Sequence, residues 1–460
     1  MTNERAQPVS RLGIFGWLLF EWATQPFFTL VTTFVYAPYF AAAMAPDPAQ
    51  GQALWGYAAG TAGLVVAALA PLLGAVADAG GRRKPWIAIF GAVIALASAV
   101  LWFGRPGDTA AIPLVLAAYA VGAVGAQCAL VFANAMMPTL VPPHRLGWLS
   151  GTGWATGYLG GLVSLLFTLG FIAASPQTGR TLLGLAPLFG LDPVLHEGDR
   201  ASGPLTAIWL IVFALPLFLF TPDRATQMPL AAAVRTGLAT LGETLANLPR
   251  YRNVALFLLA NMIYADGLVA LFAFGGIYAA GTFGWGTIQI GIFGILLTVS
   301  GTFGAFVGGR LDDRFRSKPV VLGGLAVLIV AALAILSIDR DHIAFIAVTP
   351  PEPGGGLFAS PAERAYVAVG LFIGLVVGPL QAASRTLLVR LAPPERLTQF
   401  FGLYALSARI TSFAAPLVVA VVTDATASQK AGMAVLVAFF AVGAGLLSGV
   451  RLNGGNAALR

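Results

Sequence analysis

Long apolar runs separated by short polar loops dominate this 460-residue sequence. A helix needs about 20 consecutive apolar residues to cross the hydrocarbon core of a bilayer, and only 10% of this chain is charged. Soluble globular chains carry about 25% charged residues. The sequence therefore predicts an all-α membrane protein with twelve transmembrane helices. The predicted spans lie near 12–42, 53–77, 86–104, 111–137, 148–174, 205–221, 253–281, 287–309, 319–338, 365–389, 400–421 and 431–450.

The positions of Lys and Arg predict the orientation. Of 26 such residues, eighteen fall on the side that carries both termini, six on the opposite side and two inside spans. Because cytoplasmic loops are enriched in Lys and Arg, both termini are predicted to be cytoplasmic. The net charge of +7 then reflects loops that face anionic lipid, and nucleic-acid binding is not expected. The polar start leads into a full-length span, so we expect no cleaved signal peptide.

Two pairs of loop sequences reveal an internal repeat. The stretch "GAVADAGGRRKP" (74–85) aligns without a gap with "GGRLDDRFRSKP" (308–319). Likewise, "VPPHRLGWLSG" (141–151) aligns with "APPERLTQFFG" (392–402). The first pair follows spans 2 and 8, and the second follows spans 4 and 10. The chain is therefore predicted to consist of two six-span halves in parallel register.

These halves are predicted at 1–221 and 253–460, joined by a cytoplasmic linker at 222–252 with a short amphipathic helix. Parallel six-span halves are the plan of the major facilitator superfamily. The loop from Gly74 to Lys84 resembles the signature loop between spans 2 and 3 of that superfamily. The resemblance implies the twelve-helix major facilitator fold, with a substrate site between the halves near the membrane midplane.

Three further stretches narrow the resemblance. Residues 150–162, 264–279 and 381–413 resemble the branch that includes the autophagy-related vacuolar amino-acid effluxers (autophagy-related protein 22-like) and their bacterial relatives. This resemblance implies a small-molecule substrate, with amino acids as the first guess. We expect a monomeric, multi-pass protein of the bacterial cytoplasmic (inner) membrane.

The signature loops are interpreted as gating elements. An Asp at the end of a span can cap a neighbouring helix and pair with nearby basic residues, which stabilises a closed cytoplasmic face. An alternative stays open, in which the basic residues only fix topology and contact lipid phosphates. The gating candidates are Asp78, Arg82, Arg83, Lys84, Asp312, Arg316 and Lys318.

Four charged residues lie inside predicted spans: Glu21, Asp266, Arg385 and Arg409. A charge at the bilayer centre costs about 2.5–3.5 kcal/mol on insertion scales, so each should face the bundle interior, water or a partner. The resemblance implies that spans 1, 4, 7 and 10 line the central cavity, and three of the four charges lie on these spans.

The two arginines are candidates for holding an anionic group, since a guanidinium binds a carboxylate through two parallel hydrogen bonds. Asp266, and Glu21 second, are candidates for proton coupling, because a poorly hydrated carboxylate takes up a proton readily. Structural alternatives remain open: permanent ion pairs of Asp266 with Arg385 or of Glu21 with Arg409, a packing role for Arg409, and core packing for Tyr264. The substrate-binding candidates are Arg385, Arg409, Gln381, Asn134, Gln127 and Tyr264.

No arrangement of a nucleophile and a base is visible, so an enzyme is not expected. The three His residues have no Cys or second His at ligand spacing, which argues against a metal site, and no cofactor is indicated. No phosphate-binding Gly-Lys-Ser/Thr loop is present, so an ion gradient or the solute's own gradient should drive transport. The sequence thus predicts a proton-coupled or facilitative transporter for a small, acidic solute. The alternatives are an exporter of hydrophobic compounds or lipids and a non-transporting membrane receptor.

Overall fold

The chain is almost entirely helical in the part described by the computed structural model. That part comprises residues 9–46, 48–176, 178–223, 228–246, 248–285, 287–344, 346–349, 357–408, 411–412 and 414–451. Within it, eleven helical stretches are long and apolar enough to cross a membrane. The prediction of an all-α membrane protein is confirmed.

The chain forms two compact units. The first comprises Met1–Pro143 and Thr156–Ala239, and the second comprises His144–Ala155 and Thr240–Arg460. The start of the fifth span therefore belongs to the second unit, although it lies in the first half of the sequence.

In the first unit, α7 packs on α1 and α4, and α5 packs on α3 and α4. The indole N–H of Trp17 donates to the carbonyl oxygen of Ala133 at 2.8 Å, which ties α1 to α5. π-Helical turns extend three helices at Phe27–Phe34, Phe40–Met44 and Thr168–Ile172. The α-helices are α1 (Arg11–Pro26), α2 (Tyr36–Tyr39), α3 (Pro48–Gly80), α4 (Lys84–Val100), α5 (Ile112–Leu140), α6 (Leu146–Phe167), α7 (Glu197–Phe220) and α8 (Leu230–Ala246). Only the second part of α6 and the first part of α8 belong to this unit.

In the second unit, α12 packs on α10 and α11, and α15 packs on α9, α11 and α14. A short antiparallel hairpin of β1 (His342–Ile343) and β2 (Ile346–Ala347) lies between α11 and α12. Besides the first part of α6 and the end of α8, the α-helices are α9 (Arg252–Phe283), α10 (Thr287–Phe315), α11 (Ser317–Leu336), α12 (Pro361–Leu391), α13 (Leu397–Ser407), α14 (Ala414–Thr426) and α15 (Gln429–Ser448).

Eleven predicted spans correspond to these eleven helical stretches, and the predicted span 400–421 does not form one continuous helix. It is divided into α13, which ends at Ser407, and α14, which begins at Ala414. Pro416 explains where the second helix can start, because proline fits the first helical turn but clashes with the carbonyl four residues earlier in a continuous helix. The predicted span near 400–421 is therefore made of two helices.

The sixth span begins earlier than hydropathy predicts, at Glu197 instead of 205. Its first turn carries charged residues that the apolar-run criterion rejects. One of them, Arg200, is buried because its Nε and Nη2 donate to the Trp102 carbonyl oxygen at 3.0 and 2.6 Å. Tertiary hydrogen bonds thus allow the helix to extend past its apolar run.

Candidate functional site

Arg385 lies in the interior of the second unit, on α12. Its side chain is 4% exposed. Its Nε donates to the Ser150 hydroxyl oxygen at 2.9 Å, and its Nη2 donates to the Ser150 carbonyl oxygen at 2.7 Å. The guanidinium carbon also lies 5.9 Å from the centre of the Trp154 ring. Ser150 and Trp154 are one helical turn apart on α6, so a single face of that helix holds the guanidinium.

Ser150 is a partner of Arg385 that the sequence interpretation missed. Its hydroxyl also donates to the Ala382 carbonyl oxygen at 2.8 Å, so Ser150 contacts α12 at two points. The one sequence feature that pointed to Ser150 was its position at the start of residues 150–162, a stretch that carries the family resemblance. Nothing in that stretch reveals which helix the serine faces.

Tyr264 and Gln381 lie near the same part of α12. Tyr264 is 1% exposed, and its hydroxyl is 2.7 Å from the hydroxyl of Ser384, the neighbour of Arg385. Ser384 in turn donates to the Leu380 carbonyl oxygen at 2.7 Å. Gln381 is half-buried, one helical turn before Arg385. Tyr264 therefore contacts the helix position next to Arg385, and Gln381 lies one turn before Arg385 on the same helix.

Asp266 is buried on α9, and its side chain is 2% exposed. The Thr411 hydroxyl lies beside it. Among the described residues, Oδ1 of Asp266 makes no hydrogen bond of ordinary length and direction. Thr411 stands between α13 and α14, so the carboxylate lies at the break in the eleventh span.

A second polar contact joins α9 to the same break. Asn261 Nδ2 donates to the hydroxyl oxygen of Ser407, the last residue of α13, at 3.2 Å. Arg409, predicted as a ligand on this span, lies outside the described residues. Arg385 bonds Ser150, whereas Oδ1 of Asp266 has no hydrogen-bond partner among the described residues.

The remaining candidates belong to the first unit. Glu21 on α1, and Gln127 and Asn134 on α5, are half-buried. The hydrogen bond from Trp17 to Ala133 brings these two helices together. Glu21 lies one turn after Trp17 and Asn134 directly follows Ala133, so the two lie on neighbouring helices.

The first signature loop is held by acidic residues of its own unit. Arg83 is 2% exposed and forms an ion pair with Asp78 at 3.1 Å. Asp223 accepts hydrogen bonds from the backbone N–H groups of Arg83 and Lys84, which caps the start of α4. The Lys84 ammonium donates to the Phe218 carbonyl oxygen near the end of α7 at 3.0 Å, and Arg82 is exposed.

The second signature loop repeats part of this arrangement. Lys318 aligns with Lys84, and its ammonium donates to the Ser448 and Val450 carbonyl oxygens at 2.7 and 2.6 Å. Each lysine thus neutralises the carbonyl end of the last span of its own repeat. Arg316, which aligns with Arg82, is also exposed.

Asp312 is the centre of a buried cluster. Its Oδ1 accepts from the Ser317 hydroxyl at 2.7 Å and lies 3.2 Å from Arg390 Nη1, and its Oδ2 accepts from the Thr386 hydroxyl. Ser317 aligns with Arg83 of the first loop. Since the first repeat has an arginine where the second has a serine, Asp312 obtains its cation from α12 instead of from its own loop.

The adjacent Asp313 caps a different helix. Its Oδ1 and Oδ2 each accept a 2.8 Å hydrogen bond, from the backbone N–H groups of Gly147 and Trp148. These N–H groups belong to the first turn of α6, where no intrahelical acceptor exists. The pair Asp312 and Asp313 is visible in the sequence, but the sequence does not show which helix Asp313 caps.

Glycines allow α6 and α10 to approach closely in this region. A Cβ at Gly151 would lie 2.6 Å from the Gly309 Cα, and a Cβ at Gly147 would lie 2.7 Å from the Gly309 carbonyl oxygen. Side chains at these positions would force the helices apart. The Asp313 cap and the Ser150–Arg385 contact therefore depend on a glycine-lined helix pair.

The model of the family described as "Vacuole effluxer Atg22 like" matches residues 49–459 of this chain. A relative with 24% identity over 436 residues is the uncharacterized MFS-type transporter YxiO of Bacillus subtilis, with 94% of this chain and 93% of YxiO covered. Autophagy-related protein 22 of Cryptococcus neoformans is 27% identical over 318 residues, or 67% of this chain. The match spans only 51% of that fungal protein.

Solved structures with the same fold are transporters of the major facilitator superfamily. The transporter FucP in its outward conformation gives a TM-score of 0.69 at 15% identity, covering 95% of this chain and 97% of FucP. The human organic anion transporter MFSD10 gives a TM-score of 0.65 at 17% identity, covering 96% and 100%. With the fold and the family model in agreement, the chain belongs to the Atg22-like family of major facilitator superfamily transporters.

Proposed function

We propose that this transporter moves small carboxylate-bearing solutes, with amino acids as the first candidates, by alternating access. The observation that carries the proposal is that Ser150 accepts the hydrogen bonds of both Nε and Nη2 of Arg385. Nε and Nη2 form the pair of parallel donors that a carboxylate binds bidentately. A carboxylate and Ser150 therefore compete for the same two N–H groups.

This competition suggests how binding is linked to movement. When α6 lies against α12, Ser150 holds the guanidinium edge. When the start of α6 withdraws, the buried guanidinium needs a new acceptor, and the carboxylate of a solute supplies two oxygens. Trp154 leaves with α6, and Gln381 and Tyr264 remain near Arg385 to contact other polar groups of the solute. Arg409, Gln127 and Asn134 are proposed as further ligands.

Asp266 is proposed as the proton-coupling residue, with Glu21 as the second candidate. A buried carboxylate oxygen without a hydrogen-bond partner among the described residues is stabilised by protonation. Because Thr411 lies at a break between helices, a change in that break would alter the solvation of the carboxylate. A facilitative mechanism without protons is the alternative.

The two signature loops are proposed to stabilise one conformation of the cycle. Asp78 with Arg83, and Asp312 with Arg390, are ion pairs whose residues lie at helix ends, where packing changes during alternating access. Lys84 and Lys318 hold the carbonyl ends of α7 and α15. Arg82 and Arg316 are exposed and are suited to contact lipid phosphates.

We further propose that the protein works as a monomer in the bacterial cytoplasmic membrane with both termini inside. The bacterial relative YxiO and the excess of Lys and Arg on the side of the termini support this placement.

The experiment is a thermal-shift measurement on the purified protein with amino acids, organic anions, sugars, organic cations and lipids. A ligand that binds the native state raises the apparent melting temperature by mass action. We expect carboxylated solutes to stabilise the wild type and not Arg385→Ala. The matched control is Arg200→Ala, which removes another buried arginine whose guanidinium donates to the Trp102 carbonyl oxygen. This variant should preserve the ligand-induced shift in melting temperature.

The other outcomes separate the remaining functions. Stabilisation by hydrophobic cations or lipids alone would overturn the proposal in favour of an exporter of such compounds. Binding of a carboxylated solute without flux into proteoliposomes would favour a receptor. An unchanged shift in Arg385→Ala would remove Arg385 from the site.

A further inference from the structure

The connection between α6 and α7 carries an exposed apolar surface. We name the segment from Thr181 to Leu195 the apolar loop. From Thr181 to Leu191 it contains no charged residue. Its large apolar side chains are exposed although they lie outside the helices that span the membrane. They are Leu182 (71% exposed), Leu183 (60%), Leu185 (47%), Leu188 (40%), Phe189 (86%), Val194 (70%) and Leu195 (49%).

The apolar loop is attached to the end of the fifth span. The backbone N–H of Leu182 donates to the Leu169 carbonyl oxygen at 2.9 Å. A Cβ at Gly170 would lie 3.2 Å from Leu183 Cδ1, so the absence of a side chain there leaves room for Leu183. Leu169 precedes the end of the π-helical turn at Ile172 by three residues, or about 5 Å at the helical rise. The loop therefore folds back to the depth of the last membrane-embedded turn.

Hydrogen bonds pair several backbone groups at the start of the loop. Thr181 N–H donates to the Leu185 carbonyl oxygen at 2.9 Å, and Gly184 N–H donates to the Thr181 carbonyl oxygen at 2.8 Å. The Arg180 guanidinium donates to the Gly184 carbonyl oxygen at 2.8 Å. Each N–H or C=O group that is paired in this way lowers the cost of moving the loop into a poorly hydrated environment.

The apolar loop adjoins α6, a predicted span whose exposed apolar side chains are suited to contact lipid. On the outer turns of α6, Leu159, Val163 and Leu166 are 37%, 42% and 46% exposed. The exposed charged residues Arg180 and Asp192 flank the uncharged part of the loop. An apolar stretch of roughly 10–14 residues is too short to span a bilayer and is typical of an interfacial segment. Large exposed apolar patches mark membrane or protein contacts.

We propose that the apolar loop is a membrane-interface anchor, with its leucines and Phe189 inserted among lipid acyl chains beside α6. The continuity with the lipid-facing side of α6 favours lipid over a water-soluble protein partner. The connection between α11 and α12 offers a contrast, because its described part carries Asp339, Asp341 and His342, and Asp339 forms an ion pair with Lys430 at 2.6 Å. An interfacial anchor fixes the outer ends of α6 and α7 relative to the bilayer.

The test uses site-directed spin labels in the full-length protein. The single native cysteine, Cys128, is buried and is replaced by alanine. Labels are placed at Leu182→Cys and Phe189→Cys, with controls at Thr178→Cys in the same connection and Asp341→Cys in the other. The protein is reconstituted in liposomes of phosphatidylcholine and phosphatidylglycerol, and power saturation compares collision with oxygen, which partitions into lipid, and with a water-soluble nickel chelate.

We expect the logarithm of the ratio of oxygen to nickel accessibility to be positive at residues 182 and 189 and negative at residues 178 and 341. Phe189→Cys alone decides the question if Leu182→Cys does not fold, because a side chain that is 86% exposed makes few packing contacts. Nickel-dominated accessibility at residue 189 would overturn the proposal and favour a soluble partner. Low accessibility to both reagents would also overturn it, by indicating that the loop packs against protein. Neither result depends on which solute is transported.

Discussion

The carboxylate of Asp313 accepts a 2.8 Å hydrogen bond from the backbone N–H of Gly147, and so a residue at the end of α10 caps α6. An N-cap usually comes from the residue that precedes its own helix. Here the cap is supplied by another helix, so the contact exists only while the two helix ends are together. Such a cap can favour one conformation of a transport cycle without binding any solute.

Asp313→Ala should therefore destabilise this arrangement. Two first-turn N–H groups lose their acceptor, and the loss of an N-cap costs about 0.5–2 kcal/mol. We expect a lower apparent melting temperature and a changed transport rate with little change in substrate affinity. Arg314→Ala is the control, since that side chain is exposed and lies over the neighbouring Phe315 ring. Equal effects of the two variants would argue against a specific cap.

Ser150→Ala should increase the apparent affinity for a carboxylated solute. The variant removes the hydroxyl acceptor at 2.9 Å but keeps the backbone carbonyl oxygen, so the guanidinium edge is released more easily. A hydrogen bond to a charged group is worth about 1.5 kcal/mol or more, which corresponds to roughly a tenfold increase. Affinity is measured by thermal shift or calorimetry.

Ser164→Ala is the matched control, because its hydroxyl donates to the Gly161 carbonyl oxygen within the same helix. That variant should leave affinity unchanged. A weaker affinity in Ser150→Ala would indicate that Ser150 orients Arg385 for binding instead of competing with the solute.

Asp266→Asn should abolish the dependence of uptake on a pH gradient and spare solute binding. The amide resembles a permanently protonated carboxyl group, so the side chain can no longer release a proton. Uptake into proteoliposomes is compared with and without an imposed pH gradient. Glu363→Gln is the control, because that buried carboxylate is held by Trp285 and by the Ser360 backbone. Proton-driven uptake that survives in Asp266→Asn would eliminate this residue as the coupling site.

Gly304→Ala should destabilise the second unit strongly. A Cβ at this position would overlap the Leu375 carbonyl oxygen on α12, and overpacking costs about 1–3 kcal/mol or more. Gly294→Ala on the same helix is the matched control, since a Cβ there has no neighbour within 4 Å. We expect that control to be neutral or slightly stabilising, because alanine favours a helix. Apparent melting temperatures of the two variants should therefore change differently, and equal values would contradict the close packing of α10 on α12.

The pattern of apolar runs was enough to predict the class of protein and most of its spans. Transfer of apolar residues into lipid depends mainly on composition along a run, so eleven predicted spans appear as helices. The aligned loops at 74–85 and 308–319 indicated the repeat, because residues at helix ends keep their spacing in both halves. Residues 150–162, 264–279 and 381–413 carried the resemblance to the family that the family model confirms.

Tertiary structure decided the contacts that give these residues their roles. Hydropathy cannot reveal that Ser150 faces Arg385, because the two are 235 residues apart and the bond requires one rotation of each helix. Hydropathy also cannot reveal which helix Asp313 caps, because that contact depends on how closely the glycines let α6 and α10 approach. The break at Ser407 also depends on local geometry that an apolar run conceals. Composition fixes which segments enter the membrane, whereas the directions of individual side chains are fixed only when the helices pack.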